Sequence, residues 1–137
     1  ESATVQVALF DGQTVDVDIK IQSQESLLAE SDFVSLHVPA QKDYVIGAKE
    51  FNQMKDGAAI VNAARGGVID EVALLKALDS GKLSFAGLDT FEEEPKPAMQ
   101  VLMHSKVSLT PHIGAATGEA QDRIGEELAQ QIAAILL

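Results

Sequence analysis

The stretch IVNAARGGVIDEVALLKAL, Ile60–Leu78, decides the fold. An apolar run ends in Asn62-Ala63-Ala64. One arginine and two glycines follow, and then a pattern of helical period begins. A short apolar run, a glycine-containing turn and an amphipathic segment read as strand, loop and helix. Asp70 is the predicted N-cap, Val72, Leu75 and Leu78 the predicted apolar face, and Gly81 the stop. The question raised by the stretch is why a long cation, Arg65, stands where the backbone turns from strand to helix.

The same grammar extends in both directions. Upstream, Val5–Phe10 and Val15–Ile21 read as strands around Asp11-Gly12-Gln13-Thr14, a hairpin signal. Ser26–Glu30 reads as a short helix, Phe33–Val38 as a strand closed by Pro39, and Ala48–Lys55 as a helix ended by Asp56-Gly57. Ala58–Asn62 is the strand before Arg65. Downstream, Phe85–Asp89 and Val107–Thr110 read as strands. Glu119–Ile135 reads as a helix with Ala120, Ile124, Leu128, Ile132 and Ile135 in one stripe. Alternation of strands and helices from Phe33 onward predicts an α/β domain with a mostly parallel sheet.

Composition narrows the function. A chain of 137 residues, 46% hydrophobic and 23% charged, can bury one core. The formal net charge of −11 argues against nucleic acid, which needs clustered Lys and Arg. No apolar run is long enough to span a membrane, and the opening ESATVQVALFDG is not expected to act as a signal peptide. Cysteine is absent, which removes thiolate chemistry and disulfides and suits a cytoplasmic protein. No cluster with metal-ligand spacing stands out.

Ligands of open α/β sheets bind outside the carboxyl ends of the strands. Three chemistry-bearing residues follow three predicted strands: Arg65, Glu94 in the acidic loop before Pro95, and His112 after Pro111. Singly, each has a plain reading as a surface ion pair, a solvated loop charge or a packed histidine. Together they form a coherent set. Histidine exchanges protons near neutral pH, a carboxylate beside a histidine favours its protonated form and fixes its ring, and arginine grips a carboxylate through two parallel bonds. Gly66 and Gly67 suit a sharp turn beside a ligand.

Four motifs now carry a resemblance: SDFVSLHVP, NAARGGVIDEVALLKAL, FAGLDTFEEEP and LTPHIGAATGEAQ. Their order and spacing resemble the D-isomer-specific 2-hydroxyacid dehydrogenases, from about Leu27 onward. The resemblance implies a Rossmann-like sheet with helices on both faces, NAD as cofactor and a small anionic 2-hydroxy or 2-oxo acid as substrate. It implies that Arg65 binds the substrate carboxylate, that His112 is the acid–base and that Glu94 is its partner. It implies that Asp89 meets the nicotinamide carboxamide, that Ala63 and Gly114 lie near the nicotinamide, and that Val38 and Pro39 line the adenine end.

The sequence departs from that pattern at its start. No GxGxxG phosphate loop occurs, and the usual first strand is missing. The first 25 residues match poorly. Asp11 is either the acid for the adenosine ribose or part of a local hairpin turn. The expected organisation is a single partial NAD-binding domain over residues 1–137, without the family's second, substrate-closing domain. Loss of the first strand leaves the Phe33–Val38 edge to be covered by the N-terminal strands or by another chain, or else the sequence is a truncated or engineered piece of a longer enzyme. An uncharged FVSLHV and an apolar QQIAAILL terminus point to a homodimer. The competing reading is a non-catalytic NAD(H)-binding or dimerisation module, or an inactive piece of such an enzyme.

Overall fold

The computed structural model describes residues 2–136. Two sheets form. Strands β1 (Ser2–Ala8) and β2 (Thr14–Lys20) make an antiparallel hairpin of their own. Strands β3 (Phe33–Leu36), β4 (Ala58–Asn62), β5 (Leu83–Leu88) and β6 (Val107–Leu109) make a parallel sheet in the order β3-β4-β5-β6. The helices are α1 (Gln24–Glu30), α2 (Ala48–Gln53), α3 (Glu71–Asp79), α4 (Met99–Leu102) and α5 (Gly118–Leu136). The predicted α/β parallel architecture is therefore the observed one, and the hairpin at Asp11-Gly12 also forms.

Register explains the layering. Val34, Ile60, Ala86 and Val107 lie in one row across the sheet, and Leu36, Asn62, Leu88 and Leu109 in the next. These rows turn to the side where Leu28, Phe51, Leu74, Leu78 and Val101 bring α1 to α4 into the core. Each fully buried aliphatic or aromatic side chain there contributes roughly 1.5–3 kcal/mol. The intervening rows, Phe33-Ala59-Phe85 and Ser35-Val61-Gly87-Ser108, face the other way. Phe33 is 82% exposed, Val61 41% and Phe85 42%. The expected second helical layer is thus not laid on this face: α1 to α4 cover one side only.

Three further expectations change. The buried face of α3 is Ala73, Leu74, Ala77 and Leu78, with Val72 exposed. Two alanines let the helix approach the sheet closely, and that rotates the larger Val72 outward. The four-residue α4 was not anticipated, because one turn carries no readable period. Finally, the stripe on α5 (Ile124, Leu128, Ile132, Ile135) is exposed, and so is every residue of the hairpin. The hairpin does not pair with β3, which is an edge strand of the parallel sheet.

The corrected helix face has a measurable consequence. Leu74→Ala is expected to lower the unfolding free energy by about 2–5 kcal/mol. Val72→Ala is expected to change it by no more than about 0.5 kcal/mol, as at other exposed sites. Urea denaturation of both variants checks this; equal losses would restore the face read from periodicity.

Candidate active site

The site begins with how β4 ends. Asn62 is buried, and its side chain bonds the chain that leaves the strand. Its Oδ1 accepts from the Ala64 N–H at 3.1 Å, and its Nδ2 donates to the Arg65 carbonyl at 3.0 Å. The loop is curled around one amide, a local turn that asparagine favours. Gly66 then passes against the next loop so closely that a Cβ there would lie 1.8 Å from the Phe91 carbonyl oxygen. The glycine is required by backbone contact, where the sequence suggested room for a ligand. The Arg65 side chain is exposed, and its Nη1 donates to the Ala64 carbonyl at 2.6 Å. It forms no ion pair among the described residues.

The loop after β5 is tied on two sides. Glu92 accepts from the Glu71 N–H at 2.8 Å, and Glu71 accepts from the Glu92 N–H at 2.8 Å. Within the loop, Glu94 Oε1 accepts from the Phe91 N–H at 3.0 Å. Its other oxygen, Oε2, lies 2.8 Å from His112 Nδ1. An ionised carboxylate only accepts, so Nδ1 carries the hydrogen of this bond and Nε2 is the ring atom left for a ligand. Beside the pair is a cleft of about 430 Å³, lined by Phe91, Pro97, Leu102, Leu109, Glu94 and His112 among others.

His112 itself sits at φ 55°, a left-handed conformation that a histidine adopts at a cost. The compensation is Asp89, buried at the end of β5. Its Oδ1 accepts from the Ile113 N–H at 2.8 Å and from the Thr110 hydroxyl, and its Oδ2 accepts from the Gly114 N–H at 2.8 Å. Consecutive backbone N–H groups around a left-handed residue form a concave anion site, and here a carboxylate of the same chain fills it.

The charges respond accordingly. His112 and the Phe91 N–H hold the Glu94 carboxyl below its ordinary range. Burial alone would push Asp89 up. Bonds from Thr110, Ile113 and Gly114, with the attraction of His112, overcome this and bring it below the ordinary aspartate value. Glu71 moves the other way: burial raises it, the Glu92 N–H opposes that, and the charges of Glu92 and Glu93 add to the rise.

The structure thus brings Glu94 and His112 into contact and places Arg65 on the neighbouring loop, which touches theirs through Gly66 and Phe91. Asp89, Ala63 and Gly114 line one depression of about 290 Å³ with Val61, Gly87 and Thr117. Val38 and Pro39 follow β3 at the same carboxyl edge, Val38 half-buried against the core. Asp11 is not brought there. It lies in the turn of the separate hairpin, where its Oδ1 accepts from the Gln13 N–H at 3.1 Å. Asn62, Thr110, Glu71 and Glu92 were missed by sequence reasoning. Of these, Asn62 alone had a local signal, an amide at the end of a strand.

The depression fits the nicotinamide end of the expected cofactor. Gly87 leaves its floor without a side chain, and Asp89 keeps one of its roughly four acceptor positions for a carboxamide N–H. The pyrophosphate end finds no glycine-rich loop in the sequence.

The His112–Glu94 bond can be read by titration. Because folding lowers the Glu94 carboxyl, its contacts favour the folded state above the ordinary glutamate range. That contribution is lost as pH falls through the lowered value. In His112→Ala the Glu94 midpoint, followed by carboxyl 13C NMR, is expected to move up towards the ordinary value. An unmoved midpoint would show that the pair is not formed.

Comparison with known proteins identifies the family. Residues 3–114 match the model of the D-isomer specific 2-hydroxyacid dehydrogenase, NAD binding domain. The chain is 44% identical over 119 residues to D-3-phosphoglycerate dehydrogenase of Archaeoglobus fulgidus, spanning 85% of this chain and 23% of that protein. It is 42% identical over 135 residues to hydroxypyruvate reductase of Thermotoga maritima, spanning 93% and 44% respectively. Among solved structures, holo D-mandelate dehydrogenase of Rhodotorula graminis superposes with a TM-score of 0.71 at 42% identity, over 77% of this chain and 31% of that one. The chain therefore spans less than half the length of these relatives. By the family match and the shared fold, it belongs to the D-isomer specific 2-hydroxyacid dehydrogenases, as their NAD binding domain.

Proposed function

We propose that this chain supplies the cofactor-facing half of an NAD-dependent D-2-hydroxyacid dehydrogenase, with Arg65, Glu94 and His112 as its catalytic residues. The observation that carries the reading is the 2.8 Å contact between His112 Nδ1 and Glu94 at the carboxyl end of the sheet. Bound NAD supplies the acceptor for the hydride that leaves C2 of the hydroxy acid. The hydroxyl proton passes to His112 Nε2 as the C2–O bond becomes a carbonyl, and returns from it in the reverse direction. Glu94 steadies the ring and the imidazolium. Arg65, exposed and without an ion pair among the described residues, is available to hold the substrate carboxylate through two parallel bonds. Asp89, Ala63 and Gly114 would hold the nicotinamide end, and Val38 and Pro39 the adenine end. The finer substrate reading is a 3-phosphoglycerate type, supported by the likeness to that enzyme. Relatives named for hydroxypyruvate and mandelate keep the substrate class at D-2-hydroxy acids.

A second reading, a non-catalytic NAD(H)-binding or dimerisation module, is favoured by one observation: the sequence lacks a pyrophosphate loop. Hydride transfer needs both reactants at near-attack distance in a site that excludes water. The exposed pair does not meet that condition alone. The 137-residue chain is expected to turn over 2-hydroxy acids far below the roughly 1–1000 per second typical of enzymes. Titration with NADH, followed by nicotinamide fluorescence, tests the binding half. A saturable change lost in Gly114→Val supports the cofactor reading, and no change at millimolar NADH counts against it.

Self-association belongs to the same proposal. The hairpin, Phe33 and Phe85 beside the buried Ala59, and the α5 stripe expose apolar side chains in one chain. A second copy that covers them would bury roughly 1,000 Å² or more. Sedimentation is expected to show a dimer at micromolar concentration. A monomer at high micromolar concentration would remove this part.

A further inference from the structure

The mechanism leaves one construction unexplained: the paired bonds between Glu71 and Glu92. Two carboxylates with the same charge reach across, one from the start of α3 and one from the loop after β5, and each caps the other's backbone N–H. One of them is buried, so like charges are held close at an electrostatic cost. Solvent could satisfy the exposed Glu92 without such an arrangement.

What the bonds fasten gives the reason. Glu71 opens α3, five residues after Gly66, and so belongs to the segment that carries Arg65. Glu92 lies between Phe91, whose carbonyl abuts Gly66, and Glu94, whose carboxylate holds His112. The Phe91 N–H in turn holds Glu94 Oε1. We infer that Glu71 and Glu92 are positioning residues: their reciprocal bonds lock the Phe91–Glu94 turn onto the start of α3, and this sets Glu94 against His112 and fixes both relative to Arg65. The inference rests on the proposed His112–Glu94 pair and adds two residues that touch neither substrate nor cofactor. A tie of this kind matters because misplacing a catalytic group by about 1 Å can cost about a hundredfold in rate.

Geometry and charge make opposite predictions for Glu94, so they can be separated. Removing the negative charge of Glu92 would by itself leave the Glu94 carboxyl in place or lower it. Releasing the turn would weaken the bonds from His112 and the Phe91 N–H and raise it. The charges that face Glu94, His112 and Asp89, are untouched by either change. Glu92→Gln keeps an acceptor oxygen and loses only the charge. Glu92→Ala loses both, and because Glu92 is exposed, the truncation opens no cavity.

The test is carboxyl 13C titration of Glu94 in the 137-residue chain, with the resonance assigned through Glu94→Gln. The midpoint is expected to rise in Glu92→Ala and to stay or fall in Glu92→Gln. The amide of Glu71 is expected to exchange faster with solvent in Glu92→Ala alone. Tyr44, raised chiefly by the charge of Glu92, should fall in both variants and so reports charge loss independently. If Glu94 is unmoved or falls in Glu92→Ala while His112→Ala still raises it, the positioning role is wrong and the catalytic pair stands. If His112→Ala leaves Glu94 unmoved, the pair and the positioning role fall together.

Discussion

A single carboxylate holds the functional end of this domain together. Asp89 ends β5 inside the protein and collects hydrogen bonds from Thr110, Ile113 and Gly114, all on or after the neighbouring strand. A buried, ionised group is tolerable only when such donors surround it. These bonds tie the end of β5 to the segment that follows β6. Their result is that the backbone between Pro111 and Ile113 takes a conformation that a histidine would not otherwise keep. The imidazole is thereby presented at the edge of the sheet, where Glu94 meets it.

The parallel sheet supplies the frame for this. Its strands all deliver their carboxyl ends to one edge, so loops from β4, β5 and β6 become neighbours although they are distant in sequence. Close backbone packing does the rest. Gly66 touches Phe91, Asn62 curls its own loop, and acidic side chains cap amides across the gap. The apparently acidic, solvated loop Glu92–Glu94 thus bonds the start of α3 through Glu92 and His112 through Glu94. The two side chains are separated in sequence by Glu93 alone and reach different partners.

Much of this was legible in the sequence, for a physical reason. Strands of a parallel sheet are short apolar runs with punctuation at each end, so Ala58–Asn62 and the three others could be found, and with them the residues that follow. What could not be read depends on contacts between segments. Asp89 bonds partners 21 to 25 residues away, and Glu71 meets Glu92 across 21 residues. No local pattern encodes such pairs. Val72 was misplaced because periodicity cannot tell a leucine face from the adjacent face when alanines are involved. Only the sheet, by favouring the smaller residues, decides between them. Asp11 admitted two readings because a turn and a ribose site use the same residue type. The hairpin bonds settle where its backbone goes.

The isolation of the hairpin has a thermodynamic meaning. A two-stranded ribbon that buries none of its side chains is at best marginally stable in water. The parallel sheet and α1 to α4, by contrast, share one continuous core. Heat or denaturant acting on a single copy of this chain therefore meets two cooperative units of very different strength. The ribbon opens and closes at small free energy while the sheet remains intact. A melting temperature followed through the core would describe only the latter, and protection of amides between Ser2 and Lys20 would measure how much of the ribbon's order comes from outside its own strands.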